Sequence, residues 1–369
     1  MRVTHVVVDL DAGGLESVVY ALARQFAGSS IVMSVITLSG RVGRVGVDTR
    51  LLVDQFHVIR LVPKLAMLYP AGLANRIRRT RAEIVHVHSG GWYRSVKAAR
   101  MAGVQGVVYT EHGLSDPDTS LNRWLRRHAA KRTDIIVPVS EMLRQHVVET
   151  EGVPVDRVQV IENGVDTQRF CPGPVPQQLR SVLEIPADAQ VVGSLGRFEA
   201  VKAYEDLIQA FAGLDNEALG GVPTYLVLCG DGQERAKLGR LADELGVHDR
   251  VRFPGWVDDP VSLYRLFDVF ALTSLSEGMP MSLLEAMASG TLPVVTSVGA
   301  CAKVVGPALS RQVVPPGNVA AISHAILGTL QLGEQKTELV ADARARIVGA
   351  YGLERMASKY ERVYRRLGA

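Results

Sequence analysis

Val269-Phe270-Ala271-Leu272-Thr273-Ser274-Leu275-Ser276-Glu277-Gly278-Met279-Pro280-Met281-Ser282-Leu283-Leu284-Glu285-Ala286-Met287-Ala288-Ser289-Gly290 reads as a strand, a turn and a helix. The apolar run ends where Gly278 and Pro280 break the extended backbone. From Met281 onward the residues are strong helix formers up to Gly290, which stands at the helix C-terminus. The backbone N–H groups of Gly278 to Met281 therefore lie at a helix amino terminus, which favours phosphate and developing negative charge.

The same unit repeats in both directions. Val191–Leu195, Tyr225–Cys229, Val251–Phe253 and Pro293–Thr296 read as further strands, with helices at 204–214, 233–245 and 261–266. Upstream, Val3–Val8 is a β-branched run that stops at Asp9-Leu10-Asp11-Ala12-Gly13-Gly14, and a helical spacing of apolar residues follows from Leu15 to Phe26. Short apolar strands at 31–38, 84–87, 106–110 and 135–139 alternate with helix-like stretches such as 94–102 and 121–131. Alternation of this kind implies α/β architecture, with parallel sheets covered by helices on both faces. At Cys171-Pro172-Gly173-Pro174-Val175-Pro176 regular structure is disfavoured, and the alternation then starts afresh. We therefore expect a first domain over 1–170, a linker over 171–178 and a second domain over 179–350, with ligand in a cleft between the domains.

With 369 residues, each half is long enough to bury its own core. Cys171, Cys229 and Cys301 are few, scattered and without a C-x-x-C pair, so neither a disulfide framework nor a zinc site is suggested and a reducing compartment fits best. Met1–Asp9 is too short and too polar for a signal-peptide core, and no apolar run approaches the roughly 20 residues of a membrane span. A cytoplasmic protein is expected. The net charge of +3 is unevenly divided: 22 basic against 16 acidic residues in 1–175, and 19 against 22 in the remainder. A basic first half suggests an acidic or membrane-associated partner for that half; no nucleic-acid partner is expected.

Glu277 in the turn and Glu285 in the helix are unusual neighbours for an anion site. Carboxylates accept hydrogen bonds from hydroxyls, so a ligand with phosphate in its middle and polyols at both ends, such as a nucleotide sugar, would use both. Taken alone, the pair fits equally well a Glu277 that complements the helix dipole and a solvated Glu285.

The form Glu277-Gly278-Met279-Pro280-Met281-Ser282-Leu283-Leu284-Glu285 resembles the E-x7-E signature of family-four retaining glycosyltransferases of the GT-B fold. Gly193-Ser194-Leu195-Gly196-Arg197-Phe198 with Lys202, Leu226–Gly232, Val251–Trp256 and Ile161–Asp166 also resemble family segments, in the family's order. The resemblance is strong from about Ile161 to Pro316 and looser over the amino-terminal half. It implies two Rossmann-like domains facing each other across a cleft, with residues 351–369 forming a helix that packs back on the first. It further implies transfer, with retention, from a nucleotide-sugar donor to a sugar or lipid-linked hydroxyl acceptor. The donor is a substrate, a UDP-sugar ahead of a GDP-sugar; no cofactor and no metal are implied.

Residue by residue, the resemblance gives Arg197 and Lys202, beside Gly196, the donor pyrophosphate and the leaving group's charge. Glu285 takes the ribose hydroxyls, Glu277 those of the transferred sugar, and Gly278, Met279, Pro280 and Met281 the phosphates. Gly230-Asp231 lies close to the base, and Trp256 and Val257 line it, Trp256 either as a stacking ring or as a rim aromatic. Gly13-Gly14 approaches the donor phosphates or the acceptor. His112, in Thr110-Glu111-His112-Gly113, sits near the reacting sugar carbon; a solitary histidine at a strand end is otherwise structural.

Other signals read as structural. Asp9-Leu10-Asp11 and Asp116-Pro117-Asp118 match D-x-D, but the first closes a strand and the second falls in a polar loop. His86 and His88 share one face of a strand without an evident third ligand. Gly40–Gly46 reads as a flexible loop, since it lacks the G-K-[ST] ending of a P-loop. The basic segment Leu121–Arg132, with Trp124, is either a solvated helix face or a peripheral contact with the inner face of the cell membrane. Two departures, Met279 in place of an aromatic residue and Lys303 in place of an acidic one, bear on the donor sugar. The rival readings are a non-catalytic sugar-nucleotide-binding subunit and a GT-B epimerase or phosphorylase.

Overall fold

The computed structural model describes residues 1–11, 13–60, 69–113, 119–214, 217, 219–257 and 259–368, Gln177 by its backbone alone. The second D-x-D, at Asp116, lies outside them. The chain forms two compact units, Met1–Gly164 with Leu353–Ala369, and Val165–Gly352.

In the first unit, β1 (Arg2–Val7), β2 (Val32–Thr37), β3 (Gln55–Val58), β4 (Ile84–His88), β5 (Gly106–Glu111) and β6 (Ile135–Pro138) form a parallel sheet in the order β3-β2-β1-β4-β5-β6. Most of β1, β4 and β5 is buried, which is why these strands read as continuous apolar runs rather than alternating ones. The helix Gly14–Phe26 turns Val18, Val19, Leu22, Ala23 and Phe26 inward at helical spacing. The repeat at Gly40–Gly46 is not all loop: Arg44–Arg50 is helical, and the N–H groups of Gly43 and Gly46 both donate to Leu10 O. A Cβ on Gly43 would collide with Asp11, so glycine permits this close approach.

The helix Leu353–Leu367 closes the first unit. It buries Leu353, Met356, Ala357, Tyr360, Val363 and Tyr364 along one stripe. Tyr360 and Tyr364 carry their hydroxyls to polar groups of the sheet: Tyr364 Oη lies 2.6 Å from His86 Nδ1, and Tyr360 Oη 3.0 Å from Thr110 Oγ1.

In the second unit, β7 (Gln190–Leu195), β8 (Thr224–Cys229), β9 (Val251–Gly255), β10 (Val269–Leu272), β11 (Leu292–Thr296) and β12 (Val313–Val314) form a second parallel sheet, ordered β12-β11-β10-β7-β8-β9. The proline-rich stretch expected as a linker belongs to this unit, where Arg265 Nε donates to Cys171 O at 2.9 Å. Strand order reverses between β7 and β10 here and between β1 and β4 in the first unit. In open α/β sheets, the loops leaving the strands at such a switch point diverge and leave a crevice.

Gly193 in β7 faces the buried Phe267 ring so closely that an added Cβ would lie within the ring's van der Waals surface. Gly193→Ala is therefore expected to destabilise the second unit by about 1–3 kcal/mol. A lower urea midpoint for that unit checks this; an unchanged midpoint contradicts it.

Candidate active site

The switch point of the second sheet gathers most of the predicted donor residues. The loop after β7 carries Gly196 and Arg197 and ends in a short turn, Ala200–Lys202; the loop after β10 carries Ser274, Glu277 and Gly278. The two loops are laced together: Leu275 N donates to Val201 O at 2.8 Å, and Thr273 Oγ1 donates to Ala203 O at 3.0 Å. Lys202 Nζ then meets Glu277 Oε1 at 2.6 Å, and Ser274 Oγ donates to the same oxygen at 2.6 Å. The glutamate side chain is only 9% exposed and the lysine 22%. Charge-assisted contacts so shielded from water are strong and well oriented. Below them, the helix Met281–Ala288 starts with Pro280 at its cap, where no side chain caps the helix N-terminus.

Arg197 does not join this pair. Its side chain is 59% exposed, and its Nη1 lies 3.2 Å from Glu199 Oε1. Gly230 and Asp231 leave β8 beside the β7 loop: Phe198 N donates to Asp231 O at 2.8 Å, and Gly230 N to Gly255 O at 2.8 Å. Gly230, at φ +138°, has no room for a Cβ against Gly196 O, so this close approach of the loops after β7 and β8 requires glycine. Trp256 follows β9 and is 46% exposed, with Val257 half-buried next to it. Met279 and Met281 are buried. Gly299, at φ +54°, lies against the carbonyls of Glu277 and Gly278, and Ala300 N donates to Gly278 O at 3.0 Å. The Val298–Lys303 segment thus supports the Glu277 turn from behind.

Glu285 is the most perturbed carboxylate of this group. It is buried on its helix, and Tyr264 Oη donates to its Oε2 at 2.8 Å. Burial pushes its carboxyl up to about 7, against the opposing influence of the Tyr264 hydroxyl and Arg169. Sequence reasoning missed Ser274 and Tyr264: each sits near its carboxylate only after folding, and a serine three residues before a glutamate is too common to signal anything.

The first unit holds Gly13, Gly14 and His112. Gly13 caps the helix Gly14–Phe26, its carbonyl accepting from Ser17 N at 3.0 Å. His112 follows β5, and its N–H donates to Ser89 Oγ at 3.0 Å, which in turn donates to Glu111 Oε1 at 3.0 Å. Glu111 is buried and compensated by Arg126 Nη2 at 2.6 Å and Tyr109 Oη at 3.0 Å. Burial holds the half-buried His112 ring down to about 3. His86 and His88 do have a third imidazole near them, His5 from β1, which is register partner to His86; the ligand nitrogens of the three lie within 4.8 Å of one another. On the helix Ser120–Ala130, Leu121 and Trp124 are exposed, and a groove of about 500 Å³ is lined by Arg123, Trp124, Arg127, His128, Lys131 and Arg157 among others. No helix among the described residues is long and apolar enough to cross a membrane.

Known proteins carry the same pattern. Residues 176–346 match the family model for glycosyl transferases group 1, and residues 12–169 the model for glycosyltransferase family 4. The chain is 31% identical over 297 residues to the lipopolysaccharide core biosynthesis glycosyltransferase LpsE of Rhizobium meliloti, spanning 80% of this chain and 79% of that one. It is 27% identical over 323 residues to N-acetyl-alpha-D-glucosaminyl L-malate synthase of Bacillus anthracis, spanning 85% and 82%. The crystal structure of Anabaena HepE in complex with UDP and glucose has the same fold, with a TM-score of 0.84 at 21% identity over 99% of both chains. The chain belongs to the family-four glycosyltransferases and has the GT-B fold.

The raised Glu285 carboxyl makes stability depend on pH. The folded chain holds this proton up to about 7, against an ordinary value of 4.5, so the site's contribution is complete below about 4.5 and lost as pH rises through about 7. Glu285→Gln keeps an acceptor for Tyr264 and removes the ionisation. Between pH 5 and 8 the variant should gain on the wild type by up to about 3 kcal/mol in urea unfolding; parallel pH profiles would contradict the assignment.

Proposed function

We propose that this glycosyltransferase takes a nucleotide sugar on its second unit and passes the sugar, with retention of anomeric configuration, to a hydroxyl acceptor in polysaccharide or glycoconjugate assembly. The observation that carries this reading is the Lys202–Glu277 pair at the head of the helix Met281–Ala288, a cation and a carboxylate side by side at a place suited to phosphate. Lys202, Arg197 and the N–H groups near Gly278 stabilise the departing diphosphate. Glu277 accepts from hydroxyls of the transferred sugar and Glu285 from the ribose. Gly196, Gly230 and Asp231 border the nucleotide, Trp256 and Val257 its base. By the family resemblance, Gly13 and Gly14 approach the donor phosphates or the acceptor, and His112 the reacting sugar carbon.

In the transfer, the bond from the anomeric carbon to the phosphate oxygen breaks as the bond to the acceptor oxygen forms on the same face. The acceptor's proton passes to the leaving phosphate oxygen. The names of relatives support this setting: the Anabaena structure holds UDP and glucose, and the Rhizobium protein serves lipopolysaccharide core biosynthesis. A UDP-sugar is accordingly the first donor to test, ahead of a GDP-sugar, with neither metal nor cofactor added. The exposed Leu121 and Trp124, set among Arg123, Arg127 and Lys131, support a peripheral contact with anionic lipid, as a lipid-linked acceptor would require.

Two measurements test these claims. A panel of UDP-, GDP- and ADP-sugars should find one that binds and releases nucleotide when acceptor is present, with an axial or equatorial product linkage by NMR that matches the donor's. Lys202→Ala should cut kcat by roughly 10²–10³, and Glu277→Ala should weaken discrimination among sugars. Binding without turnover under any acceptor favours a sensor subunit, and a requirement for inorganic phosphate a phosphorylase. Separately, the protein should co-sediment with phosphatidylglycerol vesicles but not with phosphatidylcholine ones, and Trp124→Ala with Arg127→Glu should abolish this at moderate salt.

A further inference from the structure

A row of imidazoles runs from His112 into the first unit. His112 Nε2 lies 3.0 Å from His88 Nδ1, and His88 Nε2 lies 3.0 Å from His5 Nδ1. Successive rings are stacked at centroid distances of 5.3 Å, tilted by only 22° and 23°. His5 and His88 are fully buried, and the row ends at His5 Nε2, which is buried and has no hydrogen-bond partner among the described residues. His86 stacks on His88 at 4.2 Å but stays outside the row, because its Nδ1 and Nε2 are already engaged by Tyr364 Oη and Thr110 Oγ1, at 2.6 and 2.7 Å.

Burial keeps all three rings of the row neutral: His5 and His112 are lowered to about 3, and His88 well below its ordinary value. A neutral imidazole has one N–H and one lone pair. Each of the two bonds needs one proton between its nitrogens, so the central ring decides for all three. If His88 carries its proton on Nε2, it donates to His5 Nδ1, His5 is forced to hold its proton on Nε2, and His112 must donate from Nε2. If His88 carries its proton on Nδ1, it donates to His112 Nε2 and accepts from His5 Nδ1; His5 Nε2 is then a bare lone pair, and His112 holds its proton on Nδ1. The first arrangement strands an N–H in a dry interior, the second only a lone pair. Orphaned buried N–H groups are the rarer of the two.

We propose that His88 and His5 are positioning residues that lock His112 in the Nδ1–H tautomer, so that its outer nitrogen presents a neutral hydrogen-bond donor to an oxygen of the bound sugar nucleotide. This rests on the donor-site reading of His112 given above. The value of such a row is orientation. The donor proton is in place before the ligand arrives, and the ring itself carries no positive charge.

Ring nitrogen-15 NMR of the full chain with labelled histidine tests the tautomer directly, His112→Gln assigning its signals. The wild type should show His112 protonated on Nδ1. His88→Phe should release it to a mixture of tautomers and lower kcat by roughly tenfold or more, the scale of one hydrogen bond, with donor KM little changed. His88→Asn, whose amide can donate to His112 Nε2, should restore both the tautomer and most of kcat. An Nε2–H tautomer of His112 in the wild type overturns the proposal. So does stoichiometric Zn²⁺ uptake by His5, His86 and His88, since the metal would take lone pairs the row requires. If the tautomer is as stated but no sugar nucleotide binds, the row stands and the donor-site reading of His112 fails.

Discussion

The ion pair between Lys202 and Glu277 joins two loops that are 75 residues apart in sequence, and the second unit's site depends on it. Strand order places β7 and β10 side by side, and backbone bonds from Leu275 to Val201 and side-chain bonds from Thr273 to Lys202 and Ala203 hold their loops in register. The pair then fixes the last freedom, the directions of the lysine and the carboxylate. Ser274 shares the oxygen that Lys202 uses, so the contact at Glu277 Oε1 is set from two sides. Around this point three close approaches of the backbone rely on residues without a side chain: Gly196 under Tyr204, Gly230 against Gly196, Gly299 against the Glu277 turn. The glycines bring the backbone in, and the ion pair aims the charges.

The two units handle buried polarity differently. In the second unit, Glu277 is shielded from water and paired with Lys202, whereas burial drives Glu285 toward its neutral form. In the first unit, Glu111 remains buried beside Arg126, which also pairs with Glu151, while four histidines are held neutral by burial. A buried neutral imidazole costs far less than a buried ion, provided its nitrogens find partners. Here, His5 Nε2 apart, the buried nitrogens find one another and the tyrosine and threonine hydroxyls, which lets a parallel sheet accept these polar side chains without charge.

Much of this was legible in the sequence where physics is local. Val269–Leu272 and Met281–Ala288 fall where the apolar run and the helix formers place them, because a buried parallel strand and a strong helix depend little on context. β3 and β12 were missed: the first is a half-exposed edge strand, the second has two residues, and neither has a pattern to read. Gly40–Gly46 read as loop because glycine is a poor helix former, yet Gly43 and Gly46 serve the packing of a helix against Leu10. Among the candidate site residues, Glu277 and Glu285 are named through a motif of fixed spacing and Lys202 through a separate segment of the resemblance. His5, Tyr264, Tyr360 and Tyr364 are not, since their partners are 21 to 278 residues away in sequence and only the sheet order brings them together.

The helix Leu353–Leu367 belongs to the unit that the chain began to build more than three hundred residues earlier. On the ribosome, β1 through β6 emerge first, and the second unit follows in one piece. Until the last helix arrives, His86 Nδ1 lacks Tyr364 and Thr110 lacks Tyr360 inside what is to become a dry core. The second unit is continuous in sequence, whereas the first is completed only by a segment that follows the whole of the second. A chain without Tyr360 and Tyr364 would leave His86 Nδ1 and Thr110 Oγ1 without these two hydroxyl partners, so the last stretch of the first unit completes the polar bonding of its sheet.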